Sequence, residues 1–201
     1  LGRKSLTFSP NTPLQIPEKQ AAAACGQITL ISQYQSCFSQ HQLQIAQILL
    51  TIEDSENRRR YLNARNTLEC LIENKIIPII NENDSVATDE LRIGDNDRLS
   101  ARVAQMVSAD TLIILSDVDG LYTANPHDDP NATLIDTVGA INDELLTMAG
   151  DSSSSVGTGG MVTKLSAAQI AMRSGCQVII TNGKTFNPLE NLATRPHSLF
   201  L

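Results

Sequence analysis

Four short apolar runs recur along the chain, LQIAQILL at 43–50, IIPII at 76–80, TLIIL at 111–115 and QVIIT at 177–181, with amphipathic stretches between them. Runs of this length, rich in β-branched residues, suit strands buried on both faces. Strand, helix and strand in repetition predict the α/β class, a mainly parallel sheet sandwiched between helices. The intervening segments carry the helical spacing. Tyr61, Ala64, Leu68, Leu71 and Ile72 fall on one face of a helix with Asp54 as its cap, while Arg58, Arg59 and Glu69 look outward. Leu99, Val103 and Met106 repeat the pattern after Asp97. Met161, Leu165, Ala168 and Met172 repeat it before Gly175, which supplies a left-handed stop. The opening, with Pro10, Pro13 and Pro17 among polar residues, reads as a loop entering a helix from about Glu18 to Phe38. Pro78 is discordant in a central strand, where it would forfeit a ladder bond, and is expected at a bulge or beside the strand's end.

At 201 residues the chain is long enough for one domain with a substantial core, and residues 1–201 are read as that single domain. A formal charge of −7 argues against a nonspecific grip on nucleic acid or an anionic membrane, which needs clustered Lys and Arg. A local basic pocket stays open. Cys25, Cys37, Cys70 and Cys176 show no Cys-x-x-Cys spacing and are expected as reduced thiols of a cytoplasmic protein. His41, His127 and His197 lack ligand-like spacing and are expected at the surface. No apolar run approaches the roughly 18 residues of a membrane span, and the first eight residues lack a signal-peptide pattern.

In open parallel sheets, ligands collect beyond the carboxyl ends of the strands, so the segments after each apolar run carry the functional reading. After IIPII, positions 81–97 hold Glu82, Asp84, Asp89, Glu90, Asp95 and Asp97, with three asparagines and Arg92. A solvated loop has this composition too, but GDND leads straight into a helix whose first amides suit a ligand carboxylate. An EF-hand is excluded, since neither its ligand order nor its closing glutamate is present. After TLIIL come Ser116 and Asp117, the Asp119-Gly120 turn signal, and a tyrosine able to lie against a planar ring; a plain turn is the alternative. Gly157-Thr158-Gly159-Gly160 suits a nest of backbone N–H donors for phosphate, with Lys164 one helical turn later. A flexible connector is the alternative there. The loop is not a Walker A motif: Gly183-Lys184-Thr185 has Val178 where its first glycine belongs. No Gly-x-Gly-x-x-Gly follows the first strand either. An acidic loop and a glycine nest with a lysine, on one sheet edge, are the parts that phosphoryl transfer from a nucleotide to a small acceptor uses.

IIPIINENDSVATDELRIGDNDRLSA, LIILSDVDGLYTANP and GTGGMVTKLSAA, in that order, closely resemble the bacterial glutamate 5-kinases of the amino-acid-kinase superfamily, and the likeness runs from about Gly2 to Phe200. The resemblance implies a three-layer α/β/α sandwich of the carbamate-kinase-like fold. It also implies phosphorylation of the γ-carboxylate of L-glutamate by ATP with Mg²⁺, feedback inhibition by L-proline, and a homodimer or homotetramer. By the same resemblance, Asp84 and Asn96 hold glutamate, and Asp97, with Asp95 beside it, organises the catalytic lysines. Ser116 and Asp117 meet the nucleotide, with serine where the family usually has threonine. Thr158, Gly159, Gly160, Met161, Val162, Thr163 and Lys164 cradle the ATP phosphates, Lys164 also neutralising charge on the transferred group. Mg²⁺ is expected on the phosphates, with no assigned protein ligand.

The family opens with a strand carrying V-K-x-G-S-S and a later SSGA loop, and neither occurs here. The expectation is an incomplete copy lacking two strands, a phosphoryl-stabilising lysine and a glutamate-binding serine, and stopping before any PUA-type RNA-modification domain. The rival readings are another kinase of the superfamily, such as acetylglutamate kinase, aspartokinase or uridylate kinase, and a noncatalytic sensor of nucleotide or amino acid. The NEND and GDND pair argues against the other kinases.

Overall fold

The computed structural model describes residues 2–6, 13–86, 95–126, 128–150, 160–190 and 192–201. The chain divides into two compact units, residues 1–92 and 93–201.

In the first unit, α1 (Gly2–Ser5) lies against α2 (Ile16–Ser39) so closely that a Cβ on Gly2 would collide with the carbonyl of Ala22. Four consecutive alanines give α2 strong helix propensity, and Glu18 accepts a hydrogen bond from the Gln15 amide at 2.8 Å to close its first turn. β1 (Ile45–Leu50) follows, then a short α3 (Ile52–Glu56), α4 (Arg58–Glu73) and β2 (Ile77–Glu82). β1 and β2 pair in parallel, from Ile45 opposite Ile77 to Leu50 opposite Glu82. Asp54 does not cap α4. It sits in α3, where Thr51 is the cap and Asp54 accepts from the Thr51 amide at 2.7 Å; Asn57 caps α4 through the amides of Arg59 and Arg60. A cap three positions nearer the helix wins because its side chain reaches those amides directly. Leu68 is fully buried, whereas Ile72, expected on the same face, is exposed near the helix end. Pro78 stands second in β2, opposite Ala46. Ile77 and Asn83 donate to Gln44 and Leu50 of the β1 side, so by the strand's two-residue period the Pro78 nitrogen faces away from β1 and costs that ladder nothing.

The second unit contains α5 (Asp95–Met106), β3 (Thr111–Ser116), β4 (Thr137–Val138), α6 (Asp143–Gly150), α7 (Met161–Met172), β5 (Gln177–Asn182) and β6 (His197–Phe200). Its sheet runs β3-β5-β6-β4, parallel except where β5 meets β6. Parallel pairing therefore predominates in the described strands, as the alternating pattern predicts. α5 packs on α7 through small residues, Ala101 and Ala104 facing the region of Ala167, Ala168 and Ala171, all buried. The core below is Ile114, Leu121, Val178, Ile180 and Phe200. β3 departs from the expectation of burial on both faces: Ile114 and Ser116 are buried, while Ile113 and Leu115 are 36% and 47% exposed. Among the described residues it pairs with β5 alone and is an edge strand of its sheet.

Four helices turn into the following strand by the same device. After α2, α4, α5 and α7 one residue takes left-handed φ: Gln42 at 58°, Lys75 at 59°, Ser108 at 52° and Gly175 at 81°. In each, its N–H bonds three residues back, and the next N–H bonds five back, as with Ala109 to Ala104 and Cys176 to Ala171. This Schellman closure satisfies carbonyls that the helix end leaves open and reverses the chain. Each helix then runs back along the strand that follows it. The first turns of α5 and α7 thereby arrive at the carboxyl ends of β3 and β5.

Candidate active site

Ser116 and Asn182 are opposite one another at the carboxyl ends of β3 and β5. At this edge α5 brings Asp97 and α7 brings Thr163 and Lys164. The Lys164 ammonium lies 3.2 Å from Oδ2 of Asp97, and the two side chains are 11% and 18% exposed. The Thr163 hydroxyl reaches the same oxygen at 2.7 Å and the Gly160 carbonyl at 2.8 Å, its single proton serving one acceptor at a time. One carboxylate oxygen thus anchors an ammonium group on a flexible four-carbon stem, which fixes where the positive charge is presented. Gly160 caps α7 in extended conformation and is exposed; a Cβ there would meet nothing within 4 Å. Among the described residues, packing does not demand a glycine at this position, and a bare backbone at the positive end of α7 suits an anion.

At the end of β3, Ser116 is buried and its hydroxyl lies 3.3 Å from Asp117. Asp117 points out: it and Lys184 are 70% and 71% exposed and 3.9 Å apart, a loose surface pair. The loop after β3 is held from two sides. Asp119 accepts from the Asn182 amide at 3.0 Å and from the Tyr122 hydroxyl at 3.2 Å. Burial, then the charge and hydrogen bond of Asp119, push the Tyr122 phenol up from its ordinary value. Ser198 on β6 accepts from the Leu121 amide at 2.8 Å and donates to the Ile135 carbonyl at 2.6 Å. Gly120 is needed here for close approach, since a Cβ would strike the Ser198 hydroxyl. The Asp119-Gly120 turn signal therefore marks a packing requirement as well as a turn.

Asn96 is the second residue of α5 and is exposed; Asp95 begins that helix. Met161 and Val162 open α7, Val162 being exposed. Thr158 and Gly159, with the rest of the expected glycine nest before Gly160, lie outside the described residues, as do Asp89, Glu90 and Arg92 of the acidic loop and His127. In the first unit, Asp84 follows β2 by two residues. It lines, with Glu82, Asn83 and Ser85 and with Ala23 and Ala24 of α2, an open hollow of ≈ 30 Å³. That is room for a small polar group such as an ammonium, or about two waters. Asn81 beside it donates to Gln27 of α2 at 2.9 Å. Among the described residues no three His, Cys, Asp or Glu side chains converge as a metal site, and no helix is long and apolar enough to cross a membrane.

The residues overlooked in the sequence are Asn182 and Lys184, while Asp119 and Tyr122 are read there only as a turn signal and as a surface for a planar ring. Asn182 and Lys184 follow QVIIT, and the rule that ligands gather after strands points to them as directly as to the other loops.

An α/β unit with a lysine–aspartate pair between two helix starts places positive charge at the carboxyl edge of parallel strands, where ligands of open sheets gather. The model of the Amino acid kinase family matches residues 4–182, and the chain belongs to that family. It is 56% identical over 192 residues to the glutamate 5-kinase of Paramagnetospirillum magneticum, a match covering 96% of this chain and 51% of that protein. The glutamate 5-kinase of Agrobacterium fabrum is 53% identical over 190 residues, covering 94% and 49%. The chain thus spans about half the length of the curated relatives it matches. Among solved structures, an isopentenyl phosphate kinase superposes with a TM-score of 0.60 at 16% identity, covering 92% of this chain and 70% of that one. Uridylate kinase from Archaeoglobus fulgidus gives 0.58 at 16% identity, covering 100% and 80%. These likenesses show a shared fold.

Proposed function

We propose that the protein transfers the γ-phosphoryl group of ATP to the γ-carboxylate of L-glutamate, giving L-glutamyl 5-phosphate and ADP, the first step of proline biosynthesis. The observation that carries this reading is the Lys164–Asp97–Thr163 cluster at the strand edge, joined to the strong likeness to glutamate 5-kinases. A carboxylate oxygen of glutamate attacks the γ-phosphorus, the bond to the β,γ-bridging oxygen breaks, and ADP leaves with that electron pair. Lys164, held by Asp97, faces the negative charge on the phosphoryl oxygens and on the leaving group. Thr158, Gly159, Gly160, Met161, Val162 and Thr163 supply backbone donors to the phosphates, and Ser116 and Asp117 contact the nucleoside. Asp84 and Asn96 hold the amino acid, Asp84 through its ammonium end. Mg²⁺ would ride on the phosphate oxygens and reduce their charge, as hydrated Mg²⁺ commonly does. A cytoplasmic homo-oligomer inhibited by L-proline belongs to the same reading.

The test is ADP release by the intact protein with glutamate, aspartate, N-acetylglutamate and UMP offered as acceptors. Glutamate is expected to give the highest kcat/KM, and Asp84→Ala to raise the glutamate KM about tenfold or more, as loss of a charged contact does. Equal turnover with aspartate or UMP would overturn the substrate assignment. An unchanged glutamate KM in the variant would overturn the role of Asp84.

A further inference from the structure

Asp119 belongs to none of the roles above, yet its side chain bonds two different segments beyond the strand ends. Its Oδ1 takes the Asn182 amide from the end of β5, and its Oδ2 takes the hydroxyl of Tyr122, further along its own loop. Asn182 in turn accepts from the Lys184 amide at 2.9 Å, and the Gly183 amide donates to the Ser116 carbonyl at 2.8 Å. A Cβ on Gly183 would come within 2.8 Å of the Leu115 Cβ, so the two chain segments touch where β3 ends. The loop after β3, which carries Asp117, and the loop after β5, which carries Lys184, are therefore tied by one carboxylate. Without it, the Gly183–Ser116 backbone bond still joins the strand ends, but the side chains beyond them lose their shared anchor.

We propose that Asp119 is a positioning residue for the nucleotide: by bridging Asn182 and Tyr122 it locks the loops after β3 and β5 into one binding edge that presents Ser116, Asp117 and Lys184 to ATP. The inference rests on the phosphotransferase reading above. It specifies a nucleotide effect and no effect on the acceptor, because none of the bridged groups belongs to the segment around Asp84.

The test compares Asp119→Ala, Asp119→Asn, Asn182→Ala and the Asp119→Ala/Asn182→Ala double variant in the intact protein. Asp119→Ala is expected to raise the KM for MgATP roughly five- to tenfold, the effect of one or two lost hydrogen bonds, with kcat within about twofold and glutamate KM unchanged. Asn182→Ala should raise the KM for MgATP similarly, and the double variant no further than the worse single one, since both remove the same tie. Asp119→Asn should stay within about twofold of the parent: its carbonyl still accepts from Asn182 and its amide donates to the Tyr122 oxygen. Phenol absorbance during alkaline titration reports the bridge separately, because removing Asp119 lets the raised Tyr122 transition move down.

Equal rises in both KM values would mean a merely structural role and overturn the proposal. So would additive effects in the double variant, Asp119→Asn as impaired as Asp119→Ala, or a shifted Tyr122 titration with MgATP kinetics unchanged. If Asp119→Ala fails to fold, Asn182→Ala alone decides, an unchanged KM for MgATP overturning the proposal. Failure of the parent protein to bind MgATP or a nonhydrolysable analogue in calorimetry would instead overturn the phosphotransferase reading, and this inference with it.

Discussion

Replacing Lys164 with methionine removes the ammonium group while keeping a flexible apolar stem of similar length in a nearly buried position. At 3.2 Å from Asp97 the gross attraction is about 5 kcal/mol for an effective dielectric of about 20. Removing the ammonium gives back only its own desolvation cost and leaves Asp97 charged, but that carboxylate keeps 18% of its side chain exposed and its bond from Thr163. A net stability loss of about 1–2 kcal/mol is expected, small beside the roughly 5–15 kcal/mol of a folded domain. The kinetic effect should be larger, because in the transition state the same charge meets the phosphoryl oxygens: removing one preorganised electrostatic contact typically lowers kcat by about 10²–10³. Urea unfolding measures the first quantity and initial rates at saturating MgATP and glutamate the second. Asp97→Asn keeps the ammonium but removes the negative charge beside it, and should lower kcat by less, about 10- to 100-fold. A kcat within fivefold of the parent in Lys164→Met would refute the reasoning. So would a loss in Asp97→Asn exceeding that in Lys164→Met.

Three further outcomes follow from the packing. Gly120→Ala drives a methyl group into the Ser198 hydroxyl and against Leu134, and should cost about 2–3 kcal/mol in urea unfolding, a cost that Ser198→Ala only partly relieves because the Ser198 amide stays 2.9 Å from the new Cβ. Ser108→Gly or Lys75→Gly, at left-handed φ of 52° and 59°, should stabilise the protein by about 0.5–1 kcal/mol, seen as a higher urea midpoint with unchanged slope. Burial pushes the Asp54 carboxyl up, but hydrogen bonds from Thr51 and the nearby Arg60 outweigh it and hold the group below its ordinary value of 3.8. A carboxyl lowered in the folded state contributes stability that is present above the unfolded value and lost as pH falls through the folded one. The stability advantage of the parent over Asp54→Asn should accordingly be constant near neutrality and shrink below about pH 4.

The elements that local pattern encodes were legible from the chain alone. Each of the four apolar runs became a strand, because length and β-branched content act over a handful of neighbouring residues. The helix after the glycine loop and its stop at Gly175 were legible for the same reason, as was Lys164 at one turn's distance. What tertiary structure decided lies between residues far apart. Asp97 meets Thr163 across 66 positions, Asp119 meets Asn182 across 63, and Leu121 meets Ser198 across 77. Periodicity carries no information about such pairs. The same limit explains β4 and β6, too short for a pattern to establish, and the exposed face of β3, which depends on what packs beside an edge strand. It explains the helix ends at Gln42, Lys75 and Ser108 as well: a left-handed residue without glycine leaves no mark in composition, and its backbone cost is met by carbonyls that find partners only once the chain has turned. Residue type thus specified which groups were available for chemistry, and the fold specified which of them share an edge.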